Sequence, residues 1–211
     1  MENVEELITK LAQETAWVKP ATHPFRLSLE WMGMAAIYLI ATLMVSGLRT
    51  DLFDKFHATW FSAEILSLIS ILVSSALSAA LLAYPDLHQK RLIALAPLVA
   101  ITLFLLVMFL SWKADIPPSP LPIHSYQCTL SIAMFSLLPA AWTFYMIGKF
   151  ACTHNKWAGG VAFLFAFSVG ALWLRLHEQT DSILHVIRWH YIPMIGFGVI
   201  GMWTGRKLLK W

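Results

Sequence analysis

Three residues in the last third of the chain have the types and spacing of metal ligands. His177, Asp181 and His185 follow one another at intervals of four residues, so on a helix they would share one face. Imidazole and carboxylate groups bind zinc and similar divalent metals, and the thiolate of Cys128 would add a soft donor. No HExxH or CxxC motif accompanies them. Histidines at a membrane surface also serve as plain hydrogen-bonding groups, so both interpretations stay open.

Two other residues are open to a functional and a structural interpretation. Cys128 could sense the redox state, because the reactivity of a thiol depends on local charge and exposure, or it could be a packed, inert side chain. Glu64 could belong to a transport pathway or a sensor, or simply reach water or pair near the end of a helix. No apolar segment carries a central histidine pair for haem, and no serine has a matching His and Asp set. We therefore expect no enzyme and no certain cofactor, only a possible divalent metal on the periplasmic side.

The composition indicates which elements must position these residues. Hydrophobic residues make up 58% of the 211 residues and charged residues 13%, and the mean hydropathy is +0.66. Soluble domains have about 45–50% apolar residues and about 25% charged residues. A membrane-spanning helix needs about 20 apolar residues. The sequence predicts an all-α, polytopic membrane protein with six transmembrane helices, at about 29–48, 62–84, 92–112, 129–148, 157–174 and 189–205.

Lysine and arginine are distributed unequally between the two sides of these spans. Ten lie at the termini and in the loops near 85–91 and 149–156, and five lie on the other side. The positive-inside rule then predicts that both termini are cytoplasmic. This topology puts Cys128 at the outer side and Cys152 at the inner side, so we expect no disulfide between them.

The predicted membrane domain covers residues 29–211, and residues 1–28 are the one sizeable segment predicted to lie outside it. Val4, Leu7, Ile8 and Leu11 follow the spacing of one helical face, and four glutamates, Glu5 among them, lie elsewhere in the segment. The pattern predicts a short, acidic, amphipathic helix. A helix of this length is marginal alone in water, and its acidic character disfavours a membrane surface. A groove on another protein fits it better.

Several short motifs occur in an order that resembles the NrsF family, membrane anti-sigma factors whose name means negative regulator of sigma F. The similarity covers nearly the whole chain. It rests on the helix at 6–12 with Val18-Lys19-Pro20, the Gly-Leu-Arg-Thr-Asp-Leu stretch at 47–52, Cys128 followed by Thr-Leu-Ser-Ile, Gly159-Gly160, the loop at 176–182, Trp189-His190-Tyr191, and the end at 205–211. Thr50 stands where the family has proline.

A second departure from the family concerns the outer thiols. The second outer cysteine of the family falls at Glu178, so a two-cysteine switch or a dithiolate metal site is not available here. A mixed site of Cys128, His177, Glu178 and Asp181 could replace it. These four residues and His185 are the predicted sensing residues.

The resemblance implies a mechanism. The cytoplasmic N-terminal helix would hold an extracytoplasmic-function sigma factor at the bacterial inner membrane through Val4, Glu5, Leu7, Ile8 and Leu11. An envelope, metal or redox stress signal would release it. The implied partners are that sigma factor and the lipid bilayer, without direct contact to nucleic acid; the oligomeric state stays open. The alternative from the residues is a small metal or solute transporter, or a metal sensor, with a periplasmic histidine-rich mouth.

Overall fold

All regular structure in the described part of the chain is helical. The computed structural model describes residues 4–13, 22–85, 91–115, 125–150 and 152–209. The helices are α1 (Val4–Gln13), α2 (Pro24–Ser46), α3 (Leu52–Phe56), α4 (Thr59–Leu82), α5 (Arg91–Ala114), α6 (Tyr126–Ile147), α7 (Asn155–His177), α8 (Ile183–Val186) and α9 (Ile192–Leu208), with a π-helical turn (Ile187–Tyr191) between the last two.

Six helical runs are long and apolar enough to cross a membrane, which confirms the predicted number of spans. They are α2, α4, α5, α6, α7 and the continuous run Ile183–Leu208. Most bounds agree with the predicted spans to within a few residues, as expected because helix ends carry the weakest sequence signal. The last run differs most: it begins at Ile183, well before the predicted start at residue 189, so His185 and His190 are both helical.

Helix α7 occupies the centre of the bundle. In its most apolar 18-residue window 89% of the residues are buried, against 28% in α5, and it packs against α4, α6, α9 and α2. A helix surrounded in this way needs small residues where its neighbours approach, and glycine, alanine and serine alternate with phenylalanine along α7. The outer helices present large apolar side chains such as Leu103 and Val199 outward, as a lipid-facing surface requires.

Glycines bring α7 and α9 into backbone contact. A Cβ atom on Gly201 would lie 2.6 Å from the carbonyl oxygen of Gly159, and one on Gly205 would lie 2.8 Å from the Cα of Gly159. Glycine is therefore required at this crossing, as in other small-xxx-small helix pairs. Gly201 and Gly205, four residues apart on α9, therefore both pack on Gly159 of α7.

Two buried clusters mark the two ends of the bundle. One end, called here the site end because the candidate site lies there, contains Leu43 of α2, Phe61 of α4, Ile132 of α6 and Trp173 of α7. The opposite end, called here the terminal end, contains Leu27 of α2, Leu82 of α4, Ile147 of α6 and Leu209 after α9. The spans therefore alternate in direction, and the start of α2 lies at the same end as the end of α9.

Candidate functional site

The segment between α7 and α8 lies at the site end, and its backbone is extended at Glu178 and at Ser182. Residues 178–182 are not helical, so the predicted helical face joining His177, Asp181 and His185 is wrong. Helix α7 ends at His177, whose Nδ1 is 2.8 Å from the carbonyl oxygen of Gly47 and whose ring stacks on Trp173. Because the helix is interrupted at 178–182, the three predicted ligands do not share a face, and each contacts a different set of partners.

Asp181 lies at the centre of a cluster of cations. Arg49 contacts both of its oxygens, at 3.1 and 3.0 Å, Nζ of Lys55 lies at 2.6 Å, and Nη1 of Arg175 lies at 3.3 Å. Burial alone would raise the pKa of the Asp181 carboxyl, but its contacts with Arg49, Lys55 and Arg175 outweigh that effect and lower its pKa to about 2. Asp181 is thus held as an anion by three cations, and it is not part of the group of metal-ligand side chains found among the described residues.

Arg49 holds this segment to the loop after α2. Its buried side chain also contacts both oxygens of Asp51, at 2.7 and 2.9 Å, and its backbone N–H donates to the carbonyl oxygen of Leu176 at 3.0 Å. The Arg and Asp of the stretch at 47–52 therefore have a structural explanation, since together they join α2 to the end of α7. Guanidinium groups suit this task because they bind carboxylates through two parallel hydrogen bonds.

A buried ion pair joins α4 to α7 below this cluster. Arg175 donates from Nε to Oε1 of Glu64 at 2.6 Å and from Nη2 to Oε2 at 3.1 Å, and both side chains are about 5% exposed or less. The hydroxyl of Tyr191 donates to the same carboxylate, and the Arg175 guanidinium lies 4.9 Å from the ring centre of Phe61. Of the two interpretations of Glu64, pairing is the one seen here; its partner Arg175 was not predicted, because it follows Glu64 by 111 residues.

A cavity of about 210 Å³ borders this network. Its lining includes Glu64, Asp115, Arg175 and Asp181. Polar and apolar side chains line the space together, and it is large enough for several water molecules, so water in it can partly hydrate the buried charges.

The π-helical turn at 187–191 has a local cause in the sequence. Pro193 lacks the backbone N–H that would bond the carbonyl oxygen of Trp189 in an α-helix. That oxygen instead accepts a hydrogen bond from the hydroxyl of Thr129 on α6, at 2.6 Å. Thr129 follows Cys128 directly, so this bond also holds the Cys128 thiol against the turn.

The turn completes a compact group of four ligand-type side chains, Cys128, Glu178, His185 and His190, called here the tetrad. Their donor atoms all lie within 4.8 Å of one another. The Cys128 Sγ is 3.5 Å from Nε2 of His185 and 3.6 Å from Oε1 of Glu178. The other Glu178 oxygen is 3.1 Å from Nε2 of His190.

The two histidines of the tetrad are buried, whereas Cys128 and Glu178 are half-buried. Both histidines are at most 1% exposed. Burial opposes ionisation of Glu178, but contact with His190, a hydrogen bond from Thr180 and the charge of His185 lower the pKa of its carboxyl to about 2. Glu178 is therefore an anion facing two imidazoles and a thiol, which can hold a proton or a cation.

The structure thus brings together three of the five predicted sensing residues, Cys128, Glu178 and His185, and places His177 and Asp181 in other contacts. His190 was missed as a member of the site. On an ideal α-helix it would lie about 140° around the axis from His185, and only the π-helical turn brings the two rings to 5.2 Å. Pro193 was the signal in the sequence that could have indicated this turn.

The two cysteines are free and far apart in the fold. Cys128 packs against the site-end cluster and Cys152 belongs to the terminal-end cluster. Burial raises the pKa of the Cys152 thiol, as expected for an unreactive structural cysteine. The prediction that the two do not pair is confirmed.

Helix α1 forms the second candidate site. Its ten residues begin at Val4, and the side chains of Val4, Leu7, Ile8 and Leu11 are 67%, 49%, 59% and 58% exposed. On one turn of the opposite face Thr9 donates to the carbonyl oxygen of Glu5 at 2.7 Å. The amphipathic helix predicted from the spacing is confirmed, and its apolar face is uncovered.

Comparison with known proteins gives one family. The family model described as NrsF, negative regulator of sigma F, matches residues 11–211. The match begins inside α1 and takes in every span, the Arg49 loop and the tetrad. No curated protein and no solved structure gives a significant match. Since the family model covers nearly the whole chain, this protein belongs to the NrsF family of negative regulators of sigma F.

Proposed function

We propose that the chain is an anti-sigma factor of the bacterial inner membrane that holds an extracytoplasmic-function sigma factor through α1 and releases it in response to a signal at the site end. Family membership supplies the general role, negative regulation of a sigma factor. The observation that carries the specific proposal is the uncovered apolar face of α1. The membrane domain supplies the anchor and the candidate sensing site.

The chemistry of α1 fits a protein groove. Four apolar side chains lie on one face, and Glu5 and Glu6 lie in the first turn. Amphipathic helices that bind proteins place such i, i+3, i+4, i+7 residues into a hydrophobic groove. A sigma factor offers apolar surface for RNA polymerase and basic surface for DNA. The apolar face would supply most of the affinity, and the glutamates would mainly accelerate encounter.

The distribution of cations supports a cytoplasmic position for α1. The chain joins α1 to the start of α2, at the terminal end, where Arg26, Lys149, Arg206 and Lys207 also lie. Three of the five cations at the site end, Arg49, Lys55 and Arg175, are held in ion pairs and so have a structural reason to be there. The positive-inside rule then favours the terminal end as the cytoplasmic one.

The test is retention of a sigma factor at the membrane. The chain is expressed together with an extracytoplasmic-function sigma factor from the same genome, and the membrane fraction is assayed for that protein. Leu7→Gln/Ile8→Gln/Leu11→Gln removes the apolar face with little change in helix propensity. At about 1–2 kcal/mol per anchor residue, the triple variant should weaken binding by roughly a hundredfold or more.

The matched control changes the opposite face of the same helix. Thr9→Ala/Gln13→Ala should retain the sigma factor as the unmodified chain does. Equal retention by the control and the triple variant would move the contact away from α1, to the loops at 85–91 and 149–156. Loss of retention by all forms, including the unmodified chain, would refute the proposal and favour the transporter interpretation.

A further inference from the structure

We infer that the tetrad is a binding site for one zinc-like divalent cation. The ligands are Sγ of Cys128, a carboxylate oxygen of Glu178 and one imidazole nitrogen each from His185 and His190. The binding step rests on the geometry of these four residues alone. Its use as the release signal rests, in addition, on the proposed function.

The distances fit a tetrahedral ion. Zinc is bound at about 2.3 Å by sulfur and about 2.0–2.2 Å by nitrogen and oxygen, so neighbouring ligand atoms around it lie about 3.3–3.7 Å apart. The Sγ–Nε2 (His185) and Sγ–Oε1 separations are 3.5 and 3.6 Å, and Nε2 of His185 is 3.5 Å from Oε1 of Glu178. Only small side-chain adjustments would be needed to close the site around an ion.

Several buried polar atoms of the tetrad have no hydrogen-bond partner within the protein. Both ring nitrogens of the fully buried His190, Nδ1 of His185 and Oε2 of Glu178 lack a hydrogen-bond partner. The 3.1 Å between Nε2 of His190 and Oε2 of Glu178 has the length of a hydrogen bond but not its direction. Buried polar atoms are nearly always satisfied, so this cluster points to a bound species. A metal ion would take the lone pair of one His190 nitrogen and of a Glu178 oxygen, while the N–H nitrogens of the two rings would not be ligands.

The donor set selects the kind of metal. One sulfur, two nitrogens and one oxygen suit zinc, cobalt(II) and cadmium, whereas magnesium and calcium prefer oxygen ligands only. The chain itself provides four ligands, which is the arrangement of a closed structural or regulatory site. A cation would also compensate the charge of Glu178 and of the Cys128 thiolate, which its binding generates by release of a proton.

The position of the ligands links the ion to two parts of the bundle. Cys128 lies near the start of α6, and His185 and His190 lie at the start of the last span. Tyr191 follows His190 directly and donates to Glu64, the partner of Arg175. An ion would therefore fix α6 to the last span and hold the turn that also carries Tyr191.

The binding test uses cobalt(II) as the probe on the purified full-length protein in detergent. The protein is first treated with a chelator under reducing, oxygen-free conditions, and cobalt(II) is then added. We expect one equivalent to bind, with the intense visible bands of tetrahedral cobalt and a near-ultraviolet thiolate-to-cobalt band, and zinc should displace it. Absence of binding, or binding without the thiolate band, would overturn the site.

Variants assign the ligands. Cys128→Ser should abolish the thiolate band, and His190→Gln should weaken binding by on the order of a hundredfold or more, since even the loss of groups that only orient a ligand costs 10–100-fold. Matched controls are Cys152→Ser and His177→Gln, which should bind as the unmodified chain does. If His190→Gln behaves like His177→Gln, while its gel-filtration profile shows intact protein, His190 is not a ligand and the tetrad is wrong.

Release is measured separately, by sigma-factor retention with and without zinc. A change on zinc addition that is absent in His190→Gln would support the regulatory step, and retention unaffected by zinc would refute it. A chain that binds cobalt but retains no sigma factor would refute the proposed function and leave the metal site standing.

Discussion

The ion pair between Glu64 and Arg175 allows the sharpest test of the site-end architecture. Arg175→Met keeps most of the side-chain volume but leaves the buried Glu64 carboxylate with Tyr191 as its remaining partner. Charges about 4 Å apart at an effective dielectric constant of about 20 attract by about 4 kcal/mol. Breaking a buried pair from one side costs about 3–5 kcal/mol, and hydration through the adjoining cavity places the loss towards the lower value.

The assay is thermal unfolding in detergent, followed by circular dichroism. For a chain of this size about 1 kcal/mol corresponds to roughly 2–4 °C in Tm, so Arg175→Met should lower the apparent Tm by roughly 6–15 °C. Glu64→Met should cost less, because Arg175 keeps Asp181 and the carbonyl oxygen of Thr180. The double variant should be more stable than Arg175→Met, because no uncompensated charge remains.

The matched control is Arg188→Met, which removes an exposed cation that lies over the ring of Trp189. Surface substitutions of this kind change stability by about 0.5 kcal/mol or less. Equal losses for Arg175→Met and Arg188→Met, or a double variant whose loss is the sum of the two single losses, would refute the assignment of Glu64 and Arg175 as a coupled buried pair.

Two further predictions concern packing and pH. Gly201→Ala should destabilise the protein by about 1–3 kcal/mol, because the new Cβ would meet the carbonyl oxygen of Gly159. The control Gly196→Ala has open space around it and should be neutral or stabilising in the same unfolding assay. Equal effects of the two variants would exclude a tight crossing of α7 and α9. The pKa of Asp181 lies below its unfolded value, so its ion pairs stabilise the fold above about pH 4 and are lost as the pH falls towards 2. Asp181→Asn should therefore lower Tm at neutral pH and reduce the decline of Tm between pH 4 and 2; an unchanged decline would contradict the ion-pair account.

The six spans and α1 could be predicted because their signals are local. Charge-free stretches of about 20 residues report directly on the cost of placing charge in a membrane, and the α1 face follows from spacing alone. Gly201 and Gly205 also carry a local signal, since small residues four apart on an apolar helix indicate close helix packing.

The site depended on information that spacing does not carry. The segment 178–182 breaks the helical face that His177, Asp181 and His185 would have shared. Asp181 instead contacts Arg49, Lys55 and Arg175, which lie far from it in the sequence or on another element. The ion pair of Glu64 with Arg175 depends on the packing of α4 on α7, and no local sequence pattern predicts it. His190 enters the tetrad only through a turn whose cause, Pro193, lies three residues further on.

The π-helical turn has a consequence for how this protein can change in evolution. His190 and Tyr191 are consecutive residues, yet one completes the tetrad and the other completes the Glu64–Arg175 pair. The backbone torsions that orient one ring also orient the other. Inserting or deleting one residue between His185 and Pro193 would therefore dismantle both arrangements in a single step, whereas a substitution can alter either alone. Among relatives, the length of this stretch should vary far less than its composition.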